Sequence, residues 1–161
     1  MIVTRLASRS PPVPRLLIVH HTASPALDAL FRAAVDGASD PLLAAVEVVA
    51  EPALSATASD VLAADGILLG APANLGSMAG ALKHFFDQIY YPCLEATKGL
   101  PYGVYVHGND DTAGALAGIA KITTGLQWKL AQAPVSVTGA PTKADLAAVS
   151  ELAAAVAATL L

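Results

Sequence analysis

Residues 65–89 open as Asp65-Gly66-Ile67-Leu68-Leu69-Gly70-Ala71-Pro72-Ala73-Asn74-Leu75-Gly76-Ser77-Met78-Ala79-Gly80. The consecutive apolar residues from Ile67, bounded by Gly70 and Pro72, suit a strand covered on both faces. A loop of small residues follows, and such residues let backbone approach a flat ligand closely. Leu82, Phe85, Phe86 and Ile89 then recur at i, i+3, i+4 and i+7. That spacing puts them on one helix face, with Lys83, His84 and Asp87 turned away.

The same alternation extends in both directions. Leu16-Leu17-Ile18-Val19-His20, Val46-Glu47-Val48-Val49, Tyr102 to His107 and Pro134 to Thr138 are four more strand candidates. Helical spacing marks Leu27, Leu30, Phe31 and Ala34, then residues 113–124 with Thr112 as a candidate cap. It returns in Leu146, Val149, Ala153, Val156 and Leu160 behind a Thr142 cap. Five continuous apolar strands alternating with helices predict a three-layer α/β fold around an open, doubly wound parallel sheet. No internal repeat or linker divides residues 16–161, which read as one domain. Residues 1–15 carry Arg5, Arg9 and Arg15 among serines and prolines and no acidic residue. They fit a flexible leader, the alternative being an organelle transit peptide.

Composition excludes several functions. The 161 residues carry 9 basic and 13 acidic side chains, a formal net charge of −4, and are 55% hydrophobic. Disorder does not fit so apolar a chain. No cluster of Lys and Arg offers itself to nucleic acid. A single cysteine, Cys93, rules out a disulfide scaffold and suits a reducing, cytoplasmic setting. Alanine raises the mean hydropathy, but no run of 18 strongly apolar residues suggests membrane insertion.

Ligands of such sheets bind beyond the carboxyl ends of the strands, where strand order reverses. The first turn there, His20-His21-Thr22-Ala23-Ser24-Pro25, offers hydroxyls and the free N–H groups of a helix start, which favour a phosphate. An ordinary helix cap is the plainer reading. Neither an ATP-type nor an NAD-type glycine loop is present. The second turn, with the helix behind it, reads strand–Gly-x-Pro-x-x-x-Gly-x-Met–small–x-x-Leu-Lys-x-Phe-x-Asp over residues 70–87. This pattern resembles the flavin loop of flavodoxin-like proteins, particularly the NAD(P)H:quinone reductase and NADPH-dependent FMN reductase branch. Element order extends the resemblance over residues 16–161.

The resemblance implies a flavodoxin-like sheet of order 2-1-3-4-5 and FMN as cofactor. It implies that Thr22, Ala23, Ser24, Pro25 and Ala26 hold the phosphate, with Pro25 lending only its backbone shape. Pro72, Ala73, Asn74, Leu75, Gly76, Ser77 and Met78 would flank the ring. His107, Gly108, Asn109 and Asp110, in the third turn with Asp111 and Thr112, would meet its pyrimidine side. The implied reaction is hydride transfer from NAD(P)H through FMN to a quinone or similar acceptor, in a homodimer or homotetramer. The alternatives are a flavodoxin-type electron-transfer protein and a cofactor-free interaction module. The chain departs from the pattern in two places. The first turn lacks glycine and dense Ser/Thr, and Leu75 stands where an aromatic residue often stacks. Only Asp110 and Asp111 supply acidity at the rim, which favours a reductase over a carrier steered to basic partners.

The remaining residues have two-sided readings. His107 is either a catalytic donor or proton relay, for which imidazole suits near-neutral pH, or a satisfied polar residue at a strand end. Tyr90 and Tyr91 either cover the flavin mouth or meet a subunit. The weakly charged last helix suggests burial against another subunit. Trp128 with Leu126 and Leu130 reads as packing. His20 and His21 alternate faces of a strand and cannot clamp one metal ion, so no metal site is expected.

Overall fold

Alternation along the strands builds two cores. In β1 (Arg15–His20) Leu16 and Ile18 point to one face while Leu17 and Val19 point to the other, and all four are buried. The computed structural model describes residues 11–161. The expected leader falls largely on residues 1–10, outside the described residues, and β1 begins one residue before the expected domain start.

The chain continues through α1 (Pro25–Ala38), a 3-10 turn at Pro41–Leu43, β2 (Glu47–Pro52), α2 (Ala58–Leu62), β3 (Gly66–Asn74) and β4 (Ser77–Met78). It then runs through α3 (Gly80–Cys93), β5 (Pro101–Gly108), α4 (Ala113–Gly125), β6 (Lys129–Leu130), β7 (Val135–Thr138) and α5 (Lys143–Ala158). The main sheet is parallel, with β1 between β2 and β3, and β3 between β1 and β5. The expected fifth position is shared by two segments. β6 pairs with Pro101 and Tyr102, and β7 pairs with Tyr105 to Gly108. Pro134, which has no N–H to give, stands in the gap between them, an interruption that sheets tolerate at an edge.

One helix layer is α1 with α5. It covers Leu16, Ile18, Leu68 and Tyr105 with Leu27, Leu30, Val149, Leu152 and Val156. Gly37 makes this layer close-packed, because a Cβ there would strike the Ser150 backbone. The inward face of α5 is therefore buried within the chain itself. The other layer packs Leu82, Phe85, Phe86 and Ile89 of α3, with Ile119 and Trp128, over Leu17, Val19, Ile67 and Leu69. Trp128 is buried and donates Nε1–H to Thr97 Oγ1 at 2.8 Å, whereas Leu130 of the expected packing group is exposed. Lys83 and Asp87 pair at 2.6 Å on the outer face of α3.

Capping fixes where the helices start. Thr142 and Asp145 form a reciprocal capping box on α5. Thr112 stands at the N-cap of α4 as expected, but its side chain makes no capping bond. Its Oγ1 pairs with Ser136 Oγ at 2.5 Å, and Asp111 Oδ1 accepts from the Ala113 N–H at 2.8 Å instead. No helix among the described residues is long and apolar enough to cross a membrane.

Candidate functional site

Three turns leave the carboxyl ends of β1, β3 and β5 on one rim, where strand order reverses between β1 and β3. The first turn is anchored by its backbone. The His21 N–H donates to Gly70 O at 2.9 Å, and the Ala53 N–H donates to His20 O at 2.7 Å. Ser24 caps α1, its Oγ accepting from the Leu27 N–H at 3.2 Å, with Pro25 in the first helical turn. The N–H groups of Thr22, Ala23, Ser24 and Ala26 have no acceptor among the described residues. They are free donors at the positive end of a fourteen-residue helix.

The second turn differs from the expected loop. β3 runs on to Asn74, reverses at Leu75 and Gly76, and returns as β4, with Ala73 facing Met78 and Asn74 facing Ser77. Both turn residues have positive φ, 50° at Leu75 and 77° at Gly76, as a two-residue hairpin turn demands. Glycine meets that demand freely, while leucine is strained by it. The Leu75 side chain is fully exposed at the tip. The hairpin is seated from behind by α4. A Cβ at Gly114 would strike the Gly76 carbonyl oxygen, and one at Gly118 would crowd Met78 Cε.

The third turn follows His107, which is 9% exposed. Its Nε2 lies 2.7 Å from Gly139 O. A carbonyl only accepts, so Nε2 carries the proton and donates it there. The Gly139 N–H in turn donates to Gly108 O at 2.9 Å.

Between the turns lies a cleft in two connected parts. A cavity of about 600 Å³ is lined by Ala73, Asn74, Leu75, Gly76, Asn109, Asp110 and Asp111. A cavity of about 210 Å³ is lined by Ala23, Ser24, Leu27, Pro72, Ala73, Asn74, His107, Gly108 and Asn109. They share Ala73, Asn74 and Asn109, and so form one slot from hairpin tip to helix start. No Lys or Arg lines either part, and the carboxylates of Asp110 and Asp111 stand at the outer end.

Eleven of the sequence-derived site residues line this slot. Thr22, Pro25, Ala26, Ser77 and Met78 do not. The Thr22 hydroxyl is held by His20 Nδ1 at 2.8 Å, Pro25 and Ala26 form the first turn of α1, and Met78 faces Gly118. Leu27 is a lining residue that sequence reasoning missed, since its helical spacing marked it only as core. Tyr90 and Tyr91 lie in the third turn of α3 and line a separate surface hollow with Lys83, Phe86, Asp87 and Ile122. No group of three or more His, Cys, Asp or Glu residues placed to hold a metal ion occurs among the described residues.

No family model matches the sequence, and no curated protein matches it. Solved structures do. The structure of a flavodoxin from the domain Archaea superposes with a TM-score of 0.76 at 17% identity, covering 91% of this chain and 98% of that one. This chain has a flavodoxin-like fold. The flavodoxin of Streptococcus pneumonia TIGR4 gives 0.76 at 18% identity, covering 90% and 99%. A flavodoxin, WrbA-like protein from Agrobacterium tumefaciens gives 0.73 at 17%, covering 91% and 97%. Coverage of 90–91% of this chain and 97–99% of those means that the flavodoxin-like fold accounts for most of the chain.

Proposed function

We propose that this protein is an FMN-binding flavoprotein. The observation that carries the reading is the slot itself, with Ala23 and Ser24 of the donor-rich first turn at one end and the hairpin at the other. The larger part, about 600 Å³, lies within the range usual for ligand pockets, and the smaller, about 210 Å³, adjoins it at the helix start. The donor set fits an anion at the helix start: the N–H groups of Thr22, Ala23, Ser24 and Ala26, with the Ser24 hydroxyl proton still free to give. Pro25 contributes shape alone. Apolar Ala73 and Pro72 and the exposed Leu75 give a planar ring surface to rest on, and Asn74 and Asn109 place amides at its edge.

FMN, when bound, supplies the acceptance and release of hydride or single electrons. The chain's own contribution is placement. The hairpin, backed by Gly114 and Gly118, would form one wall for a bound ring. Asn109 and the N–H groups of its turn would donate hydrogen bonds to the ring's edge, the kind of contact that stabilises charge on a reduced ring. The His107 Nε2–H is committed to Gly139, so any proton that His107 moves must pass through Nδ1.

The finer reading is an NAD(P)H-dependent oxidoreductase that passes electrons to a quinone-like acceptor. It rests on the motif over residues 70–87 and on a rim carrying only two carboxylates, Asp110 and Asp111, for steering a basic protein partner. A flavodoxin-type electron carrier is the second reading, and the match over 98% or more of the length of stand-alone flavodoxins favours it. Purified protein separates the possibilities. A yellow preparation that releases FMN on heating supports the flavoprotein. Steady NADPH or NADH oxidation with a benzoquinone then supports the reductase, and bound flavin that neither nucleotide reduces supports the carrier. Colourless protein that takes up no FMN would leave the cofactor-free module.

A further inference from the structure

His20 closes β1 and Thr22 follows two residues later, in the turn assigned above to the phosphate, outside the slot's wall and next in sequence to Ala23 and Ser24, which line it. His20 Nδ1 and Thr22 Oγ1 are 2.8 Å apart. The imidazole is also stacked on Phe31 of α1, with ring centroids 4.1 Å apart and an interplanar angle of 24°. Stacking holds the ring plane, and the backbone bonds of His20 and His21 to Ala53 and Gly70 hold the residues that carry it. Nδ1 is therefore aimed at one hydroxyl.

The chemistry of that contact depends on which atom owns the proton. A threonine hydroxyl has one proton and two lone pairs. If Thr22 gives its proton to Nδ1, only lone pairs remain to meet a phosphate oxygen, and the contact is repulsive. If Nδ1–H donates to Thr22, the hydroxyl proton is free to point at the anion. Burial, and then the neighbouring His21, lower the His20 pKa below the usual histidine value. At neutral pH the choice therefore lies between two uncharged tautomers. The turn has little other help, since no lysine or arginine occurs within residues 16–31.

We propose that His20 is a positioning residue whose Nδ1–H, donated to Thr22 Oγ1, turns the Thr22 hydroxyl proton toward the ligand's phosphate and so makes the site prefer FMN to riboflavin. This inference rests on the flavoprotein reading. Riboflavin shares the ring of FMN and lacks the phosphate, so the pair of ligands isolates the effect.

The test is the ratio of riboflavin to FMN dissociation constants, followed by quenching of flavin fluorescence in the wild type and four variants. His20→Phe keeps a ring to stack on Phe31 and removes Nδ1. Thr22→Val removes the hydroxyl at nearly constant shape. Each is expected to weaken FMN about tenfold, the scale of one hydrogen bond to a charged group, while riboflavin changes less than about twofold. The double variant is expected to be no worse than either single one, because the two residues act in series. His20→Asn, whose amide offers an N–H near the Nδ1 position, is expected to recover much of the FMN preference. In the FMN-loaded wild type, 15N shifts of the imidazole are expected to show Nδ1 protonated, a readout that stands even if a variant fails to fold. Wild-type FMN binding that His20→Phe leaves intact, additive losses in the double variant, or a bare Nδ1 would overturn the role of His20 while leaving the flavin reading in place. Wild-type protein that binds neither flavin would overturn both.

Discussion

Tyr105 is 1% exposed, and its hydroxyl has no hydrogen-bond partner among the described residues. The ring lies across Gly70 of the neighbouring strand, where a Cβ would collide with it. An unpaired buried hydroxyl costs about 1–3 kcal/mol, so Tyr105→Phe is expected to raise the free energy of unfolding by about 1 kcal/mol in a denaturant titration. A loss of stability instead would show that the hydroxyl is paired. Gly70→Ala is expected to destabilise by about 1–3 kcal/mol or more, because the phenol ring cannot retreat through packed neighbours. His20 supplies a pH dependence with a definite sign. Its folded-state pKa is lowered, by burial first and His21 second, so the unfolded chain binds the proton more readily. Its share of stability is complete above the unfolded value of 6.5 and falls as pH drops below it. A series of thermal midpoints from pH 7.5 down to 5.5 is expected to decline less steeply in His20→Phe than in the wild type. Parallel declines would contradict that assignment.

The hairpin formed by the end of β3 with β4 is the element on which the slot depends. Leu75 holds a backbone conformation that costs leucine about 1–2 kcal/mol and costs Asn or Gly less. Leu75→Asn is therefore expected to stabilise the protein by up to about 1 kcal/mol while removing apolar surface from the slot, which a melt and a flavin titration read separately. Gly114→Ala is expected to push on the Gly76 carbonyl and weaken flavin binding, with a stability loss of about 1–3 kcal/mol. The main strands were legible because residues such as Leu16 to Val19 are apolar without interruption over a run too short for a buried helix, as a doubly covered sheet requires. The hairpin was not. Ser77 and Met78 are too few to show alternation, and Leu75-Gly76 lacks the Asn-Gly signature of its turn. The purpose of Gly114 was hidden for a different reason: the group it accommodates belongs to a turn distant in sequence. Thr112 misled because Ser136, on another strand, competes for its hydroxyl.

At the scale of the molecule, two helix layers hold a parallel sheet so that three turns meet at one rim, and this arrangement was readable from element order alone. The split fifth strand was less so, since β6 has only two residues and pairing with β5 defines it. The composition of the slot follows from the same architecture. The free N–H groups come from a helix start, the flat wall from a hairpin, and the edge amides from a strand end. Occupation of that slot should therefore stabilise the whole fold by mass action, by about 2.7 kcal/mol at a ligand concentration one hundred times Kd. FMN added to the purified chain at neutral pH, with flavin fluorescence followed to saturation, tests this account most simply. Saturable quenching at one FMN per chain, lost or weakened in Gly114→Ala, is the expected result. Fluorescence that rises in simple proportion to added FMN, as it would in buffer, would contradict it.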